Sequence, residues 1–213
     1  MADLFQEIDD ELRQDKASRL WRVYGKYVVA TAIVIIISVG GYKFWQQKQL
    51  DDGEKASIAY ETALARSASG DYKGAIDQLN EEEIGTVEGY AALSQMQKAN
   101  LAMKINDFEA ALLTFKEIAE HDTYPQSVKE WASFRYVAVR VEKQIDSNAS
   151  ADLDSLIATD SPWRFLAKEI KAIKEIETGN KSGAKAIFSE LADDENAPER
   201  LRLRAAEFLK ILQ

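Results

Sequence analysis

The run from Tyr27 to Tyr42, YVVATAIVIIISVGGY, holds no charged side chain. Extended past its bounding lysines, Lys26 and Lys43, to Val23 and Phe44, it makes a helix about 33 Å long, against a hydrocarbon core of about 30 Å. Lysine stems at both borders reach toward headgroups, and aromatic residues flank each end: Trp21, Tyr24 and Tyr27 before, Tyr42, Phe44 and Trp45 after. A core helix of a soluble domain is the competing arrangement, but the run is apolar all round and so fits lipid better. We expect one transmembrane signal-anchor over 23–45.

Sidedness follows from the flanks. Residues 1–22 form an amphipathic helix in outline, with Leu4, Ile8 and Leu12 on one stripe and Glu7, Asp9, Asp10 and Glu11 beside it. Arg13, Lys16, Arg19, Arg22 and Lys26 then crowd toward the span. Basic residues near the membrane set orientation while acids contribute little, so this tail is expected in the cytoplasm and the rest of the chain across the membrane. A cleavable signal peptide ending near Ser38-Val39-Gly40 is the competing reading. The long acidic lead and the far border at Lys43 argue against it. There is no cysteine to carry a lipid.

Composition removes several function classes. The chain has 213 residues and a formal charge of -9, which opposes a nucleic-acid binder, since neutralising phosphates needs a basic stripe. Without cysteine there are no disulfides, thiolate nucleophiles or zinc-thiolate sites. The single histidine, His121, sits in the loop-like HDTYP and reads as an exposed helix-end residue. Paired acids at Glu81 to Glu83, Asp51-Asp52 and Asp193-Asp194-Glu195 lie in hydrophilic turns and read as solvated surface. No enzyme activity, cofactor or metal is expected.

From Gln46 on, the periodicity is helix after helix, without a sustained strand pattern. Residues 46–53 read as a short polar linker, and 54–213 as an all-α domain. Self-comparison finds a repeat. Gly70-Asp71-Tyr72-Lys73-Gly74-Ala75 with Leu79 aligns with Asn106-Asp107-Phe108-Glu109-Ala110-Ala111 with Phe115, and with Gly179-Asn180-Lys181-Ser182-Gly183-Ala184 with Phe188. A degenerate copy is placed near Asn148 to Ile157. The mean step, about 36, is close to the tetratricopeptide period.

Each motif residue has a mechanical reading. Gly or Asn ends a first helix in a left-handed turn, Asp or Asn opens the second, and Ala lets the two cross closely. Four residues later a large apolar side chain falls on the same face. Ala63, Ala99 and Ala172 hold the corresponding place in the first helices. The spacing predicts helix pairs at 54–69 with 73–81, 88–105 with 108–120, 127–144 with 151–158 and 163–178 with 182–192. Ser161 should cap the helix opened by Pro162. A last helix, 198–212, carries Leu201, Ala205, Phe208, Leu209 and Leu212 on one stripe and should cap the stack.

The order of a basic tail, one span, the exit GYKFWQQKQ (41–49), ASIAYETAL (56–64) and the GDY turn (70–72) resembles the ancillary Sec translocon subunit family, the YfgM-type inner-membrane proteins. The resemblance covers nearly the whole chain. It implies a bacterial inner-membrane protein exposing its repeats to the periplasm, associated with SecYEG and a PpiD-type periplasmic chaperone, and helping to pass translocated envelope proteins onward. A scaffold for envelope assembly or cell division is the alternative. Unfolded or extended client segments would lie in a groove lined by the first helices. By position in the repeat, Tyr60, Met96, Asn100, Met103, Lys104, Tyr136 and Arg140 would face it, where Met and Tyr adapt to varied partners. The same positions also suit ordinary packing between repeats.

Overall fold

A computed structural model describes the backbone of residues 2–212 and the side chains of residues 21–212. The stripe expected of Leu4, Ile8 and Leu12 lies outside the described side chains. All regular structure among the described residues is helical. The first helix, α1, is Ala2–Ala68, and the chain divides into two compact units, Met1–Glu54 and Lys55–Gln213.

In the first unit the apolar run turns its side chains outward, with Ile36 70% and Ile37 67% exposed. A helix this long and apolar, exposed along nearly all of its apolar run among the described residues, has the makings of a membrane span. Its borders are built from paired side chains. Lys26 Nζ lies 5.1 Å from the Tyr27 ring centroid, and the Tyr42 and Trp45 rings are 6.4 Å apart. Gly25 is buried under the Trp21 indole, where a Cβ would come within 3.1 Å of the ring. The segment 46–53, expected as a linker, is helix. Its polar composition carries no proline, Gln47 donates to Asp51 one turn on at 2.8 Å, and one interior glycine, Gly53, costs a helix only about 1 kcal/mol.

The second unit is a stack of helix pairs. After α1 come α2 (Tyr72–Gln78), α3 (Glu82–Gly85), α4 (Glu88–Lys104), α5 (Phe108–Glu120), α6 (Gln126–Glu142), α7 (Ala149–Ile157), α8 (Arg164–Glu177), α9 (Lys181–Asp193) and α10 (Glu199–Ile211). The short α3 has no counterpart in the sequence reading. α8 begins at Arg164, two residues after Pro162, because Ser161 works as a turn residue. Its hydroxyl accepts from the Trp163 N–H at 3.4 Å and donates to Glu130 at 3.0 Å.

Four turns repeat one geometry. Gly70, Asn106, Gln144 and Gly179 all have positive φ (88°, 61°, 52° and 84°). Around each, two hydrogen bonds close a Schellman motif: Gly70 N–H to Ser67 O with Asp71 N–H to Arg66 O, and likewise Asn106 to Met103, Asp107 to Ala102, Gln144 to Val141, Ile145 to Arg140, Gly179 to Ile176 and Asn180 to Glu175. Three of the turns then open the second helix through a side chain. Asp71 accepts from Gly74 N–H at 3.0 Å, Asp107 from Ala110 N–H at 3.1 Å and Asn180 from Gly183 N–H at 3.0 Å.

The third turn corrects the reading of the degenerate copy. Its left-handed residue is Gln144, not Asn148, and the steps become 36, 38 and 35. Counting from it restores the core register. Ala75, Ala111, Ala149 and Ala184 are all at most 2% exposed, as are Phe115 and Phe188, with Leu79 and Leu153 at 3%. In the first helices Ala63, Ala99 and Ala172 are buried against these positions, and Val137 takes the equivalent place. α10 lays Leu201 and Ala205 on the α8–α9 core, where Phe208 stacks on Phe188 at 4.7 Å.

Candidate functional site

The seven residues expected along the first helices fall into separate groups. Tyr60, on α1, packs with Tyr72 and Tyr90 over Ala59, Ala63 and Ala75, its ring 5.8 Å from that of Tyr90. Burial and then the neighbouring Tyr90 raise its phenol pKa. Lys104, at the end of α4, is exposed, with its ammonium 5.1 Å from the Tyr72 ring. These residues gather three tyrosines and one cation on the first two repeats, a combination suited to stacking against peptide side chains.

Met96 and Met103 point inward. Met96 packs on Ala92, Ile118, Tyr124 and Ala132. Met103 packs on Ala99, Ala111, Phe115 and Val139. Asn100 is half-buried between them on α4. Tyr136, on α6, joins the cores of the second and third repeats, and the Arg140 guanidinium lies 5.0 Å from its ring.

Arg140 is committed within the fold. It is 9% exposed and donates to Asp146 through Nε at 2.8 Å and Nη2 at 2.7 Å, while Nη1 binds Asp152. The hydrogen bond to Asp146 raises the guanidinium pKa against the effect of burial. The same bond, also against burial, holds the Asp146 carboxyl below the usual carboxylate value. Asp146 in turn accepts the Asn148 N–H at 2.9 Å. The sequence offered no sign of this cluster, because neither acid stands at a helical spacing from Arg140.

Sequence reasoning also missed a polar pair on α4. Gln95 and Lys98, one turn apart and both half-buried, stand beside the buried Ser94. Burial lowers the Lys98 pKa, partly offset by Glu117. Two polar residues at i and i+3 amid Ala92, Met96 and Ala99 were the available signal.

Comparison with known proteins places this architecture. A family model described as a tetratricopeptide repeat-like domain matches residues 18–207. A protein of Escherichia coli (strain K12) called "Ancillary SecYEG translocon subunit" is 25% identical over 184 residues, covering 84% of this chain and 86% of that protein. One of the same description from Aggregatibacter actinomycetemcomitans is 25% identical over 198 residues, covering 91% and 93%. No solved structure matches the chain significantly.

Proposed function

Since the chain belongs to the ancillary SecYEG translocon subunit family, with its tetratricopeptide repeat-like domain, we propose that it works beside a Sec translocon as a membrane-anchored adaptor in a bacterial inner membrane. In this reading residues 1–22 lie in the cytoplasm, 23–45 span the bilayer and 54–213 stand in the periplasm, where the stack receives emerging envelope proteins and passes them to a PpiD-type chaperone. The observation that carries the reading is the outward-facing apolar run with its aromatic and lysine borders, found in a chain whose relatives bear that name. Tyr60, Tyr72, Tyr90 and Lys104 support binding of extended segments by the first two repeats. Arg140 supports the fold of the third repeat, and Met96 and Met103 the core.

The test is photo-cross-linking in native membranes from probes at Ala32 and Trp45. Adducts with SecY or its partners are expected. Capture of division or outer-membrane components in their place would turn the reading to an envelope scaffold. Protease accessibility of the domain in spheroplasts, with protection of the N-terminal tail, checks the orientation.

A further inference from the structure

Two clefts meet on α4, away from the residues assigned to client binding. The first, about 420 Å³, opens between α4 and the segment that holds α3, and is lined by Leu79, Glu81, Glu82, Gln95 and Lys98 among others. The second, about 570 Å³, lies between α4 and the end of α5 with its following loop, lined by Gln95, Glu117, Ile118, Glu120, Asp122 and Tyr124 among others. Gln95 borders both, so the two clefts adjoin at this residue, one beside the first repeat and one beside the second, and are treated together as one trough. None of the seven residues expected along the first helices lines it.

The chemistry of the trough is asymmetric. Its floor is apolar: Leu79, Ile118 and Tyr124 are all buried. Its rims are acidic, with Glu81 and Glu82 on one side, Glu117, Glu120 and Asp122 on the other, all exposed. Two polar groups of α4 stand here, Gln95 on the border shared by both clefts and Lys98 in the wall of the first. Gln95 Oε1 is shielded from solvent and has no hydrogen-bond donor, and the Lys98 ammonium is partly buried. An acceptor left without a donor is costly, and the Gln95 side chain that carries it lines both clefts. A polypeptide backbone supplies what both need, an N–H for Gln95 and a carbonyl for Lys98.

We propose that this trough docks an extended, lysine- or arginine-bearing polypeptide segment, its backbone on Gln95 and Lys98 and its cations on the two acidic rims. Opposite charge across the rims selects such a segment and speeds its capture, while an acidic one is repelled. The surface is distinct from the first-helix face and stands whether or not the partner is a translocon.

The experiment uses the full chain in neutral phosphatidylcholine nanodiscs and fluorescence anisotropy with a short labelled peptide alternating lysine and valine. Saturable binding that weakens with salt is expected, with no binding of the matching glutamate–valine peptide. The double substitution Glu82→Lys with Glu117→Lys should weaken the lysine peptide at least about tenfold, and Gln95→Leu about threefold. Equal affinity for both peptides, unchanged affinity in the double variant, or loss of binding in Lys104→Glu would each overturn the assignment. A photoreactive residue at Glu81 in the otherwise unaltered chain provides a readout independent of variant folding: an adduct with the lysine peptide is expected, and its absence overturns the proposal.

Discussion

Arg140 and Asp146 meet as a two-pronged ion pair, Nε to Oδ2 at 2.8 Å and Nη2 to Oδ1 at 2.7 Å, at the one turn that has neither glycine nor asparagine in the left-handed position. The other three turns satisfy the start of the second helix through the residue after the left-handed one. In the third that residue is Ile145, and Asp146 beside it is held by Arg140 instead.

Removing the pair should loosen the third repeat. We predict that Arg140→Ala lowers the thermal midpoint by roughly 2–8 °C, the shift expected of a loss of about 1–2 kcal/mol in a chain this long. Asp146→Asn should move it in the same direction. The folded Asp146 carboxyl lies below its usual value of 3.8, so its contribution is fully present above that value and is lost as pH falls through the lower, folded one. Thermal melts should accordingly show the difference between the wild type and Asp146→Asn constant near neutrality and shrinking in acid. A difference that grows in acid would refute the assignment.

Backbone strain gives an opposite sign at the neighbouring position. Gln144 pays for a left-handed conformation that glycine adopts freely, so Gln144→Gly is predicted to stabilise the domain by about 0.5–1 kcal/mol, and Gly179→Ala, at φ 84°, to destabilise it by about 1–2 kcal/mol. Urea titrations of the two variants compare them directly. A destabilising Gln144→Gly would mean that its side chain matters more than its φ.

Lys104 and Arg140 should no longer behave alike under charge reversal. Lys104→Glu is predicted to weaken cross-linking to partners while leaving the helical melting curve in place, since its ammonium is exposed. Arg140→Glu sets three carboxylates together and is predicted to lower the melting midpoint. Equal loss of stability in both variants would count against placing Lys104 on a binding face.

Lipid exposure of the apolar run predicts position-dependent tolerance. Ile36→Arg near its centre should cost insertion about 2.5–3.5 kcal/mol and shift protein to the carbonate-extractable fraction. Ile211→Arg, at a side chain 78% exposed on the last helix, should leave membrane association unchanged. Retention of Ile36→Arg at wild-type level would argue that the run is not bilayer-embedded.

Most of the fold was written in local signals. Gly70-Asp71, Asn106-Asp107 and Gly179-Asn180 pair a residue that tolerates positive φ with one that caps a helix, and the crossing alanines recur in phase with them. The third copy was misplaced because Gln144 and Ile145 carry neither signal; tertiary packing of Ala149 and Leu153 imposes a turn that local preference does not announce. Helix through 46–53 was hidden by its polar composition. The surroundings of the expected groove residues were only partly legible: helical position put Tyr60 and Lys104 on first helices, but the packing of Met96 and Met103 and the partners of Arg140 depend on which neighbouring helix each meets. The trough at Gln95 joins residues from three stretches of chain, and spacing along one helix does not reveal such a meeting.

The turn at Gln144 also bears on how the array comes apart. Repeats touch chiefly their neighbours, so an array of this kind unzips from its least secure junction rather than melting as one body. All four turns share one backbone closure, and three of them add a capping side chain to it. The one at Gln144 has the Arg140–Asp146–Asp152 charge cluster in place of a cap and leads into α7, only nine residues long. Salt thus becomes a selective solvent for one seam, and the α6–α7 junction is where amide protons should first trade with deuterium, dividing the domain into two blocks that can open in turn.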